Sequence, residues 1–338
     1  MAHRQDSFPA SRRQFITLLG GTAVAWPGIA RAQNTERMPR VGVLMSGGES
    51  NPGTQTRIAA FVQGMQTAGW IDGRNVQFDI RWPGPDPERM RAVAMEMVTS
   101  APDVIVSTST LMAMFVSQQT RTTPIVLAGA GDAPSVGIVG SRARPEANIT
   151  GFTSYELSLG GKWLELLKEV APRLTRLAAV YTPGGPSSEG VLRMVEGAAP
   201  SVGVRTIPVP ATTAVEIEDA LAAFALEADG GLMVLPGPST IAYGELLVAL
   251  AFRHRLPAIY SSRDSVTLGG MMCYTADSTD IYRRAASYVA RILRGAKPGD
   301  LPIQAPTKYE LVVNLKTAKA IGLNIPEAFL LRADEVIE

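Results

Sequence analysis

The chain alternates short apolar runs rich in β-branched residues with segments of helical periodicity, and this alternation constrains its fold most. The clearest run lies within residues 124–132, where Ile-Val-Leu-Ala follows a proline and leads into glycines and one carboxylate. Such a run is typical of a buried parallel strand whose carboxyl end opens into a loop. Because ligands of open α/β sheets bind at that edge, we expect binding residues in this loop.

The alternation occurs twice, before and after about residue 155, which predicts two α/β lobes with a cleft between them. A length of 338 residues agrees with two domains of roughly 100–200 residues each. Residues 75–82 alternate polar and apolar side chains, as an antiparallel or edge strand would. The other predicted strands are 40–45, 103–110, 176–181, 205–209, 231–235, 257–260 and 308–315; the predicted helices are 55–68, 87–100, 111–119, 156–170, 187–199, 214–227, 239–254, 280–294 and 316–321.

The glycine-rich segment 269–274 is expected to turn the chain back to the first lobe, where the helix at 280–294 would pack. The predicted lobes therefore each consist of two stretches of the chain. We assign residues 38–155 and about 275–300 to the first lobe, and residues 156–274 and about 301–338 to the second.

The first 32 residues are predicted to be a twin-arginine export signal rather than part of the fold. Arg12 and Arg13 precede the apolar run at 15–29, and Ala30-Arg-Ala32 offers the small residues that a signal peptidase reads. A membrane anchor is the alternative, but the run is short and contains Pro27. We therefore expect cleavage after Ala32 and a periplasmic protein.

Charge and residue usage exclude several classes of protein. Lys and Arg number 32 against 31 Asp and Glu, so no strong field attracts nucleic acid or an anionic membrane. The lone Cys273 excludes an internal disulfide. His3 lies in the export signal and His254 at a predicted helix end, which leaves no histidine constellation for catalysis or metal binding. The sequence also lacks a Gly-x-Ser-x-Gly elbow and a phosphate-binding loop. We predict a protein that is not an enzyme and needs no cofactor or metal.

Motifs spread along the chain carry a family resemblance. They are Arg-Arg-x-Phe-Ile-Thr-Leu-Leu-Gly-Gly at 12–21, Gly-Asp-x-x-x-x-Gly-x-Val-x-Ser-x-Ala-Arg-Pro at 131–145, Asn-x-Thr-Gly at 148–151, and the segments 282–286, 295–298, 306–308, 314–319 and 332–337. In this order and spacing they resemble the ABC-transporter substrate-binding proteins that include tryptophan- and tyrosine-binding members. The resemblance covers essentially the whole chain. It implies a type I periplasmic-binding-protein fold, in which two Rossmann-like lobes with parallel sheets are joined by a three-crossover hinge.

The resemblance also implies a function. The chain would be the periplasmic component of an ABC uptake transporter, closing on an aromatic or other amino acid, or on an aromatic acid. Its partners would be this solute and a membrane permease, and it would be a monomer. Thr182 stands where relatives commonly have asparagine, which leaves the identity of the solute open. A periplasmic sensor subunit that docks to a receptor is the alternative, and an α/β enzyme is a more distant one.

Candidate ligand residues of the first lobe follow three predicted strands. Ser46 and Gly47 follow the first strand, where glycine permits close backbone approach, although a plain turn is the alternative. Ser107, Thr108 and Ser109 precede a helix and are expected to hold a carboxylate with hydroxyls and free N–H groups, unless Ser109 only caps that helix.

The loop after residue 130 offers Gly131 and Asp132 to the same cleft. Asp132 is a candidate acceptor for a ligand ammonium group, or an acceptor of backbone N–H groups in its own loop.

Candidates of the second lobe are mostly aromatic. Tyr181, Tyr260 and Tyr274 fall near strand ends, where a tyrosine offers both a ring and a hydroxyl. Ser239 occupies a similar position after the strand at 231–235. Packing between strand and helix is the alternative for each of them. Asp277 is either a ligand contact or the cap of the helix that follows it.

Overall fold

The structure is a computed structural model that describes residues 37–133, 137–141 and 148–338. The predicted export signal with its cleavage site lies outside the described residues, as do residues 134–136 and 142–145 of the motif at 131–145. Within the described ranges, no helix combines the length and apolar character that a membrane crossing requires.

Strands and helices alternate along the described chain. The strands are β1 (Arg40–Leu44), β2 (Gln77–Arg81), β3 (Val104–Ser107), β4 (Ile125–Ala130), β5 (Ile149–Thr153), β6 (Arg176–Tyr181), β7 (Arg205–Pro210), β8 (Gly230–Val234), β9 (Ala258–Tyr260), β10 (Met272–Ala276), β11 (Tyr309–Asn314) and β12 (Glu335–Ile337). The helices are α1 (Pro52–Thr67), α2 (Pro87–Thr99), α3 (Thr110–Gln119), α4 (Leu159–Val170), α5 (Pro186–Ala198), α6 (Ala214–Phe224), α7 (Pro238–Ala242), α8 (Gly244–Arg253), α9 (Arg263–Thr267), α10 (Ser278–Leu293), α11 (Leu315–Ala320) and α12 (Glu327–Leu330).

The first sheet has five strands in the order β2-β1-β3-β4-β5, all parallel. Side chains of its central strands alternate between two apolar layers, because successive residues of a strand point to opposite faces. Val104 and Val106 pack with α1 and α10, whereas Ile105 packs with α2 and α3. The strand predicted at residue 124 is β4, buried between β3 and β5. The strand at 75–82 is β2 at the sheet edge, and it is parallel rather than antiparallel.

The second sheet has seven strands in the order β12-β11-β10-β9-β8-β6-β7. Its neighbours are parallel except for β10 and β11, which run antiparallel. The chain reaches β11 only after leaving the second sheet at Ala276, forming α10 against α1, and returning. Because β11 arrives from the first lobe, it enters the second sheet in the opposite direction to β10.

The predicted fold class, two Rossmann-like α/β lobes with three crossovers, is confirmed. The chain crosses between the sheets after β5, after β10 and before β11. Segment 269–274 does not itself turn back, because its residues from Met272 onward form β10, and the return begins after Ala276. The residue limits that we assigned to the lobes stay a prediction.

Several elements differ from the sequence-based prediction for local reasons. The helix predicted at 239–254 is two helices, interrupted at Tyr243 before Gly244, a poor helix former. The strand β5 was not predicted, because a glycine in its middle weakens the strand pattern. That residue, Gly151, has φ +130°, and a Cβ there would lie 2.3 Å from Leu127 O on β4. Only glycine therefore allows β5 to pair with β4 in this register.

Candidate functional site

A cavity of about 510 Å³ opens at the carboxyl ends of both sheets and is lined by residues of both lobes. Seven helices, α1, α3, α4, α5, α7, α9 and α10, place their first or second residue on its wall. The first N–H groups of a helix have no partner within the helix and carry partial positive charge. The arrangement therefore favours a negatively charged or hydrogen-bond-accepting ligand.

On the first-lobe side, a network of hydroxyl groups joins the ends of β1 and β3. The Ser46 N–H donates to Thr108 Oγ1 at 2.7 Å, and Thr108 Oγ1 lies 3.1 Å from both Leu44 O and Ser46 Oγ. Ser109 Oγ accepts from the Met112 N–H at 3.2 Å and so caps α3. These side chains are thus held in place by bonds within the protein.

Aromatic side chains form the apolar part of the wall. Trp163 of α4 is 2% exposed, and its indole N–H donates to Tyr274 O at 2.8 Å. The Tyr155 ring lies tilted against it, with 6.5 Å between ring centroids. Burial raises the pKa of the Tyr155 and Tyr282 phenols, so both remain neutral and can donate a hydrogen bond.

The charged side chains on the wall are paired within the protein. Arg57 Nη1 of α1 lies 2.6 Å from Asp264 Oδ2 of α9, an ion pair that joins the two lobes. Arg263 pairs with Glu310 and Glu335. Asp277 Oδ1 accepts from the Thr279 and Asp280 N–H groups and caps α10. No cationic side chain of the described wall is left without a carboxylate partner.

Five of the predicted site residues line the cavity: Ser46, Thr108, Ser109, Gly131 and Asp277. Ser109 and Asp277 are also helix caps, as the alternative interpretation held. Whether each of the five touches a solute stays a prediction.

Seven predicted site residues lie off the cavity wall: Gly47, Ser107, Asp132, Tyr181, Ser239, Tyr260 and Tyr274. Three of these belong to the first lobe. Ser107 is fully buried and donates to Ser109 O at 3.0 Å. Asp132 is 7% exposed. Gly47 is buried, and a Cβ there would lie 2.8 Å from Thr54 Oγ1 and 3.0 Å from Ile241 Cγ2.

The four second-lobe residues pack into the protein instead of facing the cavity. The Tyr260 side chain belongs to the core beneath α8 and is 1% exposed. Tyr274 stacks on Tyr309 with 5.4 Å between ring centroids. Tyr181 packs against the core layer that contains Trp163, on the other face of the sheet from Tyr260. Ser239 is buried within α7. Strand side chains alternate between faces, so proximity to a strand end did not determine their direction.

The sequence analysis did not name Arg57, Tyr155, Trp163, Ser187 or Asp264 as site residues, although all five line the cavity. A signal existed only for Ser187, which follows the Gly-Gly-Pro turn after β6, at a strand-to-helix junction of the expected kind. Arg57 and Asp264 are 207 positions apart, and nothing in their local sequence indicates the pairing.

Comparison with known proteins gives relatives of matching architecture. A tyrosine-binding protein of Clostridioides difficile is 24% identical over 264 residues, which cover 78% of this chain and 75% of that protein. A conserved domain protein of Vibrio cholerae shares 26% identity with a TM-score of 0.82, covering 89% of this chain and 100% of that one. An ABC domain of Streptococcus pneumonia in complex with L-Trp has a TM-score of 0.81 at 21% identity, with the same coverage.

The family is also identified directly. Residues 45–337 match the sequence profile of the ABC transporter substrate binding proteins. That match spans the described lobes and the carboxyl-terminal motifs, and it confirms the resemblance inferred from the motifs. The members of this family are substrate-binding proteins rather than enzymes. The chain therefore belongs to the ABC transporter substrate binding protein family.

Proposed function

We propose that this chain is the periplasmic component of an ABC uptake transporter, and that its lobes close on an amino acid or an aromatic acid. One observation carries the proposal: the cavity of about 510 Å³ lies between two lobes, and both contribute to its wall. Its volume lies within the range of roughly 300–1,000 Å³ that is usual for small-molecule sites.

The wall chemistry supports an aromatic solute. Tyr155, Trp163 and Tyr282 supply rings, and helix N-termini with hydroxyl groups supply donors for a carboxylate. Relatives of the chain include a tyrosine-binding protein and a structure solved with L-Trp. These likenesses favour an aromatic amino acid as the first solute to test.

Because both lobes contribute to the cavity wall, we expect a bound solute to favour closure of the lobes. A ligand shifts an open–closed equilibrium only by its differential affinity for the two states. A solute that contacts both lobes binds the closed state more tightly, and the closed protein is the form that we expect a permease to recognise. We expect this protein to be a monomer, exported to the periplasm by the signal at its amino terminus.

A thermal-shift screen tests the proposal. The protein would be unfolded and refolded to remove carried-over ligand, then heated with aromatic and branched amino acids, aromatic acids, nucleobases and sugars. A solute at about ten times its dissociation constant adds about 1.4 kcal/mol to the free energy of unfolding. For a chain of this size, we expect the melting temperature to rise by about 2 °C.

The outcome of the screen separates the possibilities. A rise confined to one chemical class supports solute binding and identifies the solute class. A protein that melts at the same temperature with every solute of the panel would contradict the proposed ligands.

A further inference from the structure

The third crossover between the lobes begins as a part of the first lobe. Gln304 pairs with β5 at the open edge of the first sheet, as a residue of a parallel strand would. Its N–H donates to Gly151 O at 2.9 Å, and the Thr153 N–H donates to Gln304 O at 2.9 Å. These bonds satisfy backbone groups of β5 that a sheet edge otherwise leaves unpaired.

Apolar side chains of the same segment are buried in the first-lobe core. Leu301 is 0% exposed and packs in the layer formed with α1 and α10. Ile303 is 3% exposed and packs in the layer formed with α2 and α3. Thr150 Oγ1 of β5 also donates to Leu301 O at 2.6 Å. Moving this segment away from the first lobe would expose both aliphatic side chains to water, which the hydrophobic effect opposes.

The Gln304 side chain joins the crossover to α10. Gln304 Nε2 donates to the Tyr288 hydroxyl at 2.7 Å, and this hydroxyl donates to Pro302 O at 3.0 Å. Gln304 Oε1 accepts from Arg284. The Arg284 guanidinium lies 4.7 Å from the centre of the Phe152 ring of β5. Backbone, apolar and side-chain contacts thus hold the start of the crossover on the first lobe.

The chain loses these contacts immediately after Gln304. Within the described ranges, residues 305–308 form no backbone hydrogen bond outside the sheets, and the last two of them are exposed. Tyr309 then pairs with Ala276 in the antiparallel ladder of β10 and β11, which belongs to the second lobe. Four residues therefore connect the lobes here. The ring of Pro306 fixes its own φ, so rotation falls on the other three.

The other two crossovers also have a defined position at which first-lobe contacts end. The Ser154 N–H donates to Ala130 O at 2.8 Å, and Ser154 Oγ donates to Gly129 O at 2.8 Å. The first crossover therefore stays on the first lobe up to Ser154. In the second crossover, Asp277 alone separates β10 from α10, and its side chain caps α10.

We propose that Gln304 anchors the third crossover to the first lobe, and that closure turns the chain at residues 305–308. Closure itself belongs to the proposed function, on which this inference rests. The anchor places residues 301–304 in the first lobe, whereas our sequence-based limits place them in the second. Tyr309, which packs against core layers of both lobes, directly follows the turning segment.

Amide hydrogen exchange measured by NMR tests the anchor. The Ile125 N–H, which donates to Asn148 O at 2.7 Å, serves as the first-lobe reference for the Gln304 and Thr153 N–H groups. The protein is measured alone and with L-tyrosine, L-leucine or benzoate, while small-angle X-ray scattering of the same samples reports closure. If the anchor moves with the first lobe, solute should change both exchange rates less than about threefold relative to the reference.

Gln304→Ala gives an independent readout. The variant loses the side-chain bonds to α10 and keeps the backbone bonds to β5, so the Thr153 N–H should exchange about tenfold faster relative to Ile125. Solute affinity, measured by calorimetric titration, should change less than about threefold, because contacts that are equal in the open and closed states do not shift their equilibrium. Gln118→Ala, at an exposed position of α3, is the matched control and should change neither quantity.

Two results would overturn the anchor while solute binding stands. One is a solute that slows exchange at Gln304 and Thr153 by about tenfold or more relative to Ile125, because their bonds would then break on opening. The other is an affinity about tenfold lower in Gln304→Ala, because the side-chain contacts would then exist only in the closed state. Binding without a change in scattering would overturn the turn at residues 305–308.

Failure of the proposed function gives a different result. If none of the three acids binds, the proposed ligands are contradicted, and exchange in the solute-free protein decides on the anchor. Exchange at Gln304 as fast as at the exposed Thr307 then overturns the anchor, and slower exchange supports it.

Discussion

Gly131→Ala is expected to weaken solute binding about thirtyfold to a hundredfold while both lobes stay folded. The added Cβ would lie 2.6 Å from Ser187 Oγ and the Tyr155 hydroxyl oxygen, and 2.7 Å from Ser187 Cβ. These separations are well below the roughly 3.5–4.0 Å of a normal contact. Gly131 follows β4 of the first lobe and Ser187 begins α5 of the second, so the overlap with Ser187 opposes closure. Overpacking of this kind costs about 1–3 kcal/mol.

The effect should fall on closure because alanine is compatible with the first lobe itself. Gly131 is not among the glycines with positive φ, so its backbone suits any residue. Calorimetric titration with the solute identified by the screen measures the affinity, and small-angle X-ray scattering with that solute reports closure. Gly197→Ala, at an exposed helix position where a Cβ meets no neighbour, is the matched control. Natural affinity in Gly131→Ala would show that the lobes do not meet at this glycine when solute is bound.

Asp264→Ala is expected to weaken solute binding about tenfold to a hundredfold and to favour the open form without solute. Arg57 Nη1 and Asp264 Oδ2 are 2.6 Å apart, and the two side chains are only 11% and 28% exposed. A hydrogen bond between charged groups contributes about 1.5–3 kcal/mol when it is shielded from water. The pair joins α1 of the first lobe to α9 of the second. We therefore expect it to break when the lobes open.

A double-mutant cycle isolates this contribution. Asp264→Ala leaves the Arg57 charge unpaired in the wall, whereas Arg57→Ala with Asp264→Ala removes both charges, so the double variant should recover part of the loss. Glu165→Ala breaks the exposed Lys162–Glu165 pair on the surface of α4, and it should change affinity little. Additive effects of Arg57→Ala and Asp264→Ala on affinity would contradict a closed-state role for the pair.

Predictions from local sequence were most successful for backbone elements at the cleft edge. β4 and the loop after it lie where the apolar run and its glycines indicated, and Gly131 is on the cavity wall. Ser109 and Asp277 cap helices that begin at the cavity. Each of these features depends on residues within a few positions of one another, which is the range over which propensity and capping act.

Side-chain direction at the ends of strands was less predictable. Tyr181, Tyr260 and Tyr274 were expected in the cleft, yet they turn into core layers or stack on a neighbour. Successive strand residues face opposite sides of the sheet. A shift of one residue in the position of the strand end therefore moves a side chain from the cavity to the core. Burial of a tyrosine ring favours the core whenever that side of the sheet is covered by a helix.

By itself, the sequence determined the two α/β lobes, the loops that face the cleft and the helices that begin there, because apolar periodicity and capping are local properties. Only the tertiary structure decided which side chains make the site. The Arg57–Asp264 pair and the close approach of Ser187 to Gly131 join segments that are far apart along the chain. Such contacts depend on how two separately folded lobes come together, and no local pattern in either segment encodes that geometry.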